Sequence, residues 1–212
     1  MTEYKIVFKK DTHEYFVNDV KKICISDVVQ GLQLADFGAV PKHYLIEGRE
    51  RGKEVHAICE SWDKGILVIE SVDDRLMGYT KAWLSYLKDY RPEWLWIEKI
   101  AYSPIIDVCG TVDRVGVISK VKTLVDIKTS EMILPSTTLQ TAVYQKMYEC
   151  MTGEKIKSRL IVHLSEGGKY KIEEHKDNTD INYAMASIMT YKWKVANKQD
   201  KDIQYNKELY NF

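Results

Sequence analysis

A chain of 212 residues with 45% hydrophobic content can bury one sizeable core, so a single domain with an attached helical lobe is expected and a second independent domain is not. Lys plus Arg and Asp plus Glu balance at 31 each, so a surface for a polyanion must be local and cannot follow from overall charge. Cys24, Cys59, Cys109 and Cys150 show no CxxC spacing, the opening MTEYKIVFKK has no signal-like apolar run, and no stretch approaches the roughly 20 apolar residues of a membrane span, so reduced thiols in a cytoplasmic protein without a membrane partner are expected.

In chain order, YKIVFKKDTHEYFVN alternates apolar and polar residues around a Lys-Asp-Thr break and predicts a β-hairpin. Ser26 and Asp27 precede an apolar run and suit the start of a short helix over about 26–34. Between Pro41 and Trp62, the positions Tyr44, Val55, Ile58, Cys59 and Trp62 have helical spacing in their second half, with Gly48 and Gly52 loosening the approach. Leu76, Tyr79, Trp83, Leu87 and Tyr90 recur at helical steps over 73–90, more as a core face than as a stacking platform, and Pro92 stops that helix.

Three β-type runs follow, 94–101, 108–118 and 121–128, and their short connections favour adjacent antiparallel strands. Thr137 or Thr138 opens a helix to about Met151, closed by Gly153, and 158–164 with 169–174 predict two more strands across a Gly-Gly turn. Ile181, Ala184, Ile188, Tyr191 and Val195 line one face of a last helix over 180–197, and a polar tail completes the chain.

The chemistry concentrates in two of the strands. Asp113 lies within CGTVDRVGVI, and Asp126 and Lys128 lie two positions apart in TLVDIKTS, so their side chains share a face. Two acids and a lysine among Val, Leu and Ile cannot be buried as unpaired charges. A divalent cation, Mg²⁺ or Mn²⁺, offsets the carboxylates and polarises a phosphate, with Lys128 beside it to orient or deprotonate water and to stabilise the phosphate charge. Without such an ion, the plain alternative is an Asp126–Lys128 ion pair on a solvent-facing sheet, with Asp113 in a turn.

One Asp on a strand, a short turn, a strand reading hydrophobic-Asp-Ile-Lys-Thr, then a helix with Gln-x-x-x-Tyr resembles the PD-(D/E)XK nuclease superfamily, in particular its RecB-type branch. The resemblance runs over about residues 10–165: HEYFVN, ISDVV and FGAVPKHYLIEGRERGKEVH look like the lead-in of bacteriophage and prophage exonucleases, and of mitochondrial genome maintenance exonucleases. It implies a restriction-endonuclease-like α/β core, a central mixed sheet flanked by helices, with an N-terminal hairpin and helical lobe at 1–92, a catalytic core at 93–175 and a C-terminal helix and tail at 176–212.

By the same resemblance, His56, Asp113, Asp126 and the Ile127 backbone carbonyl would ligate the metal. Lys128 would be the catalytic lysine, supported by Gln140 and Tyr144, and Glu98 would be a further acid at the ion. The implied activity is a Mg²⁺- or Mn²⁺-dependent exonuclease acting on DNA ends, with single strands preferred, in phage or prophage DNA replication, recombination or repair. The helical lobe with His56 would arch over the site.

Glu60, one turn after His56, suits either a second metal or a solvated surface. The cysteines lack the arrangement that holds an iron–sulfur cluster in some relatives, so no cluster is expected. GRERGKE at 48–54 falls one residue short of a P-loop and lacks its Ser or Thr, so no nucleotide cofactor is expected either.

Phosphate contacts are expected from Arg49, Arg51, Lys53, Arg114, Thr129 and Ser130, near Lys42, His43 and Tyr44, although EGRERGK could equally be a solvated helix face. The competing possibilities are a structure-specific endonuclease on the same fold and an inactive nucleic-acid-binding module. A recombination or packaging partner acting through the C-terminal helix is a third.

Overall fold

The computed structural model describes residues 4–35, 40–130 and 134–199. Part of the lead-in, residues 36–39, and the tail from residue 200 lie outside the described residues.

The expected hairpin is present as β1 (Ile6–Lys9) and β2 (Glu14–Val17), and β3 (Val20–Lys22) extends it into a three-stranded antiparallel sheet. The added strand follows a two-residue turn in which Asn18 and Asp19 both take positive φ, 49° and 64°. Such turns match the twist of paired strands and favour Asn and Asp. Helix α1 (Ile25–Gly31) starts one residue before the expected span and ends earlier. Its first turn is closed by Asp27, whose carboxylate accepts from the Cys24 backbone N–H at 3.0 Å.

Helix α2 (Lys42–Asp63) is continuous through both of its glycines, where the sequence favoured a helix only in the second half. A 3₁₀ turn (Asp74–Leu76) leads into α3 (Met77–Tyr90), which ends at Arg91 in the left-handed conformation, one residue before Pro92. Tyr79, Trp83 and Tyr86 are buried, so this helix is core, as its periodicity indicated.

Five strands form the main sheet, β4 (Glu93–Ser103), β5 (Val108–Ile118), β6 (Val121–Lys128), β7 (Ser158–Leu164) and β8 (Tyr170–Glu174), in spatial order β4-β5-β6-β7-β8. All neighbours are antiparallel except β6 and β7, which are parallel and joined by the crossover helix α4 (Ser136–Thr152). Gly153, at φ 77°, closes α4. Helix α5 (Asp180–Ala196) follows.

Strand alternation divides the interior into two cores. Leu124 packs with Val112, Val143, Met147, Ile188 and Tyr191 under α1, α4 and α5, whereas Val125 and Ile127 pack with Val55, Trp83, Tyr86 and Val162 under α2 and α3. A smaller cluster of Tyr15, Val17, Cys24, Tyr102 and Cys109 fastens the N-terminal sheet to β4 and β5. The protein is therefore a mixed α/β fold with a five-stranded mixed sheet flanked by helices. Among the described residues no helix is long and apolar enough to cross a membrane. Cys24, Cys59 and Cys109 are free and buried and Cys150 is free and half-buried, small apolar groups in the packing.

Two close approaches fix how the layers meet. A Cβ on Gly78 would lie 1.7 Å from the Glu166 backbone oxygen, so α3 touches the β7–β8 turn backbone to backbone. On the other face, buried Arg159 of β7 pairs with Asp180 Oδ2 at 2.7 Å and ties the start of α5 to the sheet.

Candidate active site

Besides a bulge between Trp94 and Trp96 on β4, the main sheet is irregular at the rung of Glu98 and Asp113. On β5, Val112 and Val115 pack into the same core although three positions separate them, and Arg114 lies over the Trp83 ring in the opposite layer, 5.7 Å from its centroid. Regular alternation would place Val112 and Val115 on opposite faces, so the strand is distorted at Asp113 and Arg114. On β4, Glu98 sits in the left-handed region at φ 44°, which costs a non-glycine residue roughly 1–3 kcal/mol. Pairing of Ile97 with Arg114 and of Lys99 with Val112 leaves Glu98 and Asp113 on the same rung.

The β5–β6 ladder ends beside this rung, at Arg114 opposite Val125. Beyond it the Ile127 backbone N–H donates to Asp113 Oδ2 at 2.8 Å. A side chain thus replaces a ladder bond, and the two strands part at the acids.

Helix α2 brings His56 to this fork. One turn earlier, a Cβ on Gly52 would lie 3.7 Å from Thr129 Oγ1, which shows how near the helix runs to the end of β6. His56 Nδ1 is 3.2 Å from Glu98 Oε1 and 3.8 Å from Asp113 Oδ2, and Nε2 is 3.1 Å from the Ile127 carbonyl oxygen. Both ring nitrogens face oxygen, which favours the doubly protonated imidazolium when no metal is bound. Burial pulls the His56 pKa down, but Asp113 and Glu98 outweigh it and carry the group up to about 9.

Asp126 and Lys128 share a face, as expected, with Lys128 Nζ 2.7 Å from Asp126 Oδ2. The fully buried Asp126 carboxylate therefore has the Lys128 ammonium as its close charged partner. Lys128 Nζ also donates to Gln140 Oε1 at 3.2 Å, and Gln140 Nε2 donates to the Tyr144 hydroxyl at 2.9 Å, both from one face of α4. Tyr144 packs closely against β5, where a Cβ on Gly110 would be 2.9 Å from its ring. Burial pushes the Asp113 and Asp126 carboxyls above the usual range, against the pull of His56 on the first and Lys128 on the second. Burial opposes the Lys128 charge, but Asp126 and Asp113 outweigh it and hold its pKa up.

The residues present fit a divalent cation. His56, Glu98 and Asp113 offer ligand atoms within 4.8 Å of one another. Fully buried Asp126, paired with Lys128, stands beside this group. Hard carboxylate oxygens, a backbone carbonyl and one imidazole form a donor set suited to a hard divalent cation.

One expectation is corrected. Arg114 is completely buried and cannot meet DNA, because the distortion at Asp113 turns it into the layer between sheet, α2 and α3. Glu60 pairs with Lys64 at 2.5 Å one helical turn on, a surface pair. Arg51 lies over the Tyr79 ring at 5.7 Å, while Lys53 is exposed and pairs with Glu50 at 2.8 Å. Sequence reasoning passed over Asp63, which accepts from Arg114 Nε at 2.7 Å and from Trp83 Nε1 at 3.2 Å. Its signal was available: it stands seven residues after His56, on the same helical face.

Fold and fork together define a mixed α/β protein with an acid, lysine and histidine centre where two strands part. No family model and no curated protein matches the chain. Among solved structures, an alkaline exonuclease (LHK-Exo) from Laribacter hongkongensis is 15% identical, with 88% of this chain and 92% of that chain covered and a TM-score of 0.44. Its complex with dAMP has the same identity and coverage and scores 0.43. A protein from Eubacterium rectale, whose exonuclease designation is provisional, is 16% identical over 70% of this chain and 68% of that one, with a TM-score of 0.45.

Proposed function

We propose that this chain is a divalent-metal-dependent nuclease that hydrolyses phosphodiester bonds at DNA ends, preferentially in single strands, during phage or prophage DNA replication, recombination or repair in the bacterial cytoplasm. The observation that carries this proposal is the convergence of His56, Glu98 and Asp113 on one point, beside fully buried Asp126 and the lysine paired with it at 2.7 Å. Gathering several carboxylates at one buried point is costly, and a divalent cation would relieve it.

His56, Asp113, Asp126, Glu98 and the Ile127 carbonyl would hold Mg²⁺ or Mn²⁺. The ion supplies charge stabilisation on the phosphate oxygens and a more acidic water. Lys128, kept cationic by the acids around it, orients the attacking water and stabilises the negative charge that gathers on phosphorus-bound oxygens. Gln140 holds the lysine in place through its amide oxygen, and Tyr144 holds the amide.

Arg49, Arg51 and Lys53 on α2, with Thr129 and Ser130 after Lys128, would take neighbouring phosphates. The exposed Tyr44 ring at the start of α2, against which His43 stacks at 4.1 Å, suits an unpaired base.

The test is digestion of end-labelled single-stranded, double-stranded and covalently closed circular DNA with Mg²⁺ or Mn²⁺. Wild type should shorten linear single strands fastest and leave the circle intact, and Lys128→Ala should lose at least about 100-fold in rate. Intact linear substrates, or an equally active Lys128→Ala, would refute a nuclease, and cutting of the circle would make it an endonuclease.

A further inference from the structure

We propose that Arg114 is a positioning residue of the metal centre, an internal cation that sets the Glu98 carboxylate, and through it His56, in place to ligate a divalent ion; this rests on the metal-dependent function proposed above. The guanidinium is completely buried yet spans four elements. Its Nη1 donates to Glu98 Oε1 on β4 at 2.9 Å and to the Asp113 carbonyl on β5 at 2.7 Å. Its Nε donates to Asp63 Oδ2 at the end of α2 at 2.7 Å, and its plane lies over Trp83 of α3. Trp83 Nε1 in turn donates to the other Asp63 oxygen at 3.2 Å.

The Glu98 oxygen that Arg114 holds is the one facing His56 Nδ1 at 3.2 Å. Asp63, Trp83, Arg114, Glu98 and His56 are therefore one chain of contacts ending at the Ile127 carbonyl. Two features separate this from an ion pair that merely supports the fold. Asp63 alone would neutralise Arg114, so the half-buried Glu98 leaves the trio with a formal excess of negative charge on the side that faces His56 and Asp113. Glu98 also holds a left-handed backbone inside a strand, a strain that persists only where surrounding contacts fix the residue. A planar fork can serve Asp63 and Glu98 at once, which a lysine ammonium on a flexible stem cannot.

The experiment measures Mn²⁺ binding to the full chain without DNA, from the electron paramagnetic resonance signal of free Mn²⁺. It uses wild type, Arg114→Lys, Glu98→Gln and the double variant, with folding checked by near-UV circular dichroism. Arg114→Lys should weaken Mn²⁺ binding about 10- to 100-fold, the usual effect of removing a group that orients a ligand. In the Glu98→Gln background it should add less than about twofold, because its effect passes through Glu98.

Equal loss in both backgrounds, or Mn²⁺ affinity unchanged by Arg114→Lys, overturns the proposal. If Arg114→Lys does not fold, Asp63→Asn takes its place under the same criteria, since it keeps an acceptor for Trp83 and removes the charge that anchors the guanidinium. A wild type that binds no Mn²⁺ defeats the metal-dependent function and this inference together. Wild-type binding with additive variants defeats this inference alone.

Discussion

Asp126 is held in a state that its surroundings disfavour. It is completely buried, and burial pushes its carboxyl upward against the pull of Lys128 at 2.7 Å. Removing the charge should therefore help the metal-free fold. Asp126→Asn is expected to raise metal-free stability by about 1 kcal/mol and to abolish the increase in melting temperature that Mn²⁺ gives wild type. Thermal denaturation with and without Mn²⁺ reads both, and a destabilised variant that still responds to the ion contradicts the expectation. The shared face of Asp126 and Lys128 was legible from strand spacing, but their grouping with Asp113 around an ion came from the resemblance, since spacing alone suited a surface ion pair as well. Arg114 was not legible: beside an acid in an alternating strand it looks like an outward phosphate contact, and only the distorted rung sends it inward.

At the level of elements, hydrophobic periodicity located the helices and main strands, and where it failed the cause was local. β3 depends on a turn of two left-handed residues that no apolar pattern announces. The glycines of α2 weaken helix propensity but are overridden by burial of Val55 and Cys59. Gly78 has the opposite character, since no Cβ fits between α3 and the Glu166 carbonyl. Gly78→Ala should cost at least about 2 kcal/mol by prying α3 from the β7–β8 turn, measurable by urea denaturation. A change within about 0.5 kcal/mol, the scale of an inert surface substitution, would show that the turn yields.

For the molecule as a whole, a formal net charge of zero leaves the field at the fork to local groups. Binding to single-stranded DNA should then depend on salt through a few cations only, at about 0.7 counterion per phosphate neutralised. Arg49→Ala with Lys53→Ala should reduce the slope of log affinity against log salt by about 1.4, read by fluorescence anisotropy without metal. An unchanged slope would place the phosphate contacts elsewhere. Overall composition hinted at none of this, because the balance of charges conceals where they sit.

The parallel pairing of β6 with β7 has a consequence in time as well as in space. Parallel neighbours cannot be joined by a tight turn, so the sheet closes only once α4 has crossed its face, and α4 carries the amide and phenol that hold Lys128. Glu98, Asp113, Asp126 and Lys128 lie on strands linked by short turns and can meet early, whereas the crossover is a slower, longer-range closure. During synthesis the acids would assemble before the lysine is steadied, so competence for chemistry arrives with the completed sheet.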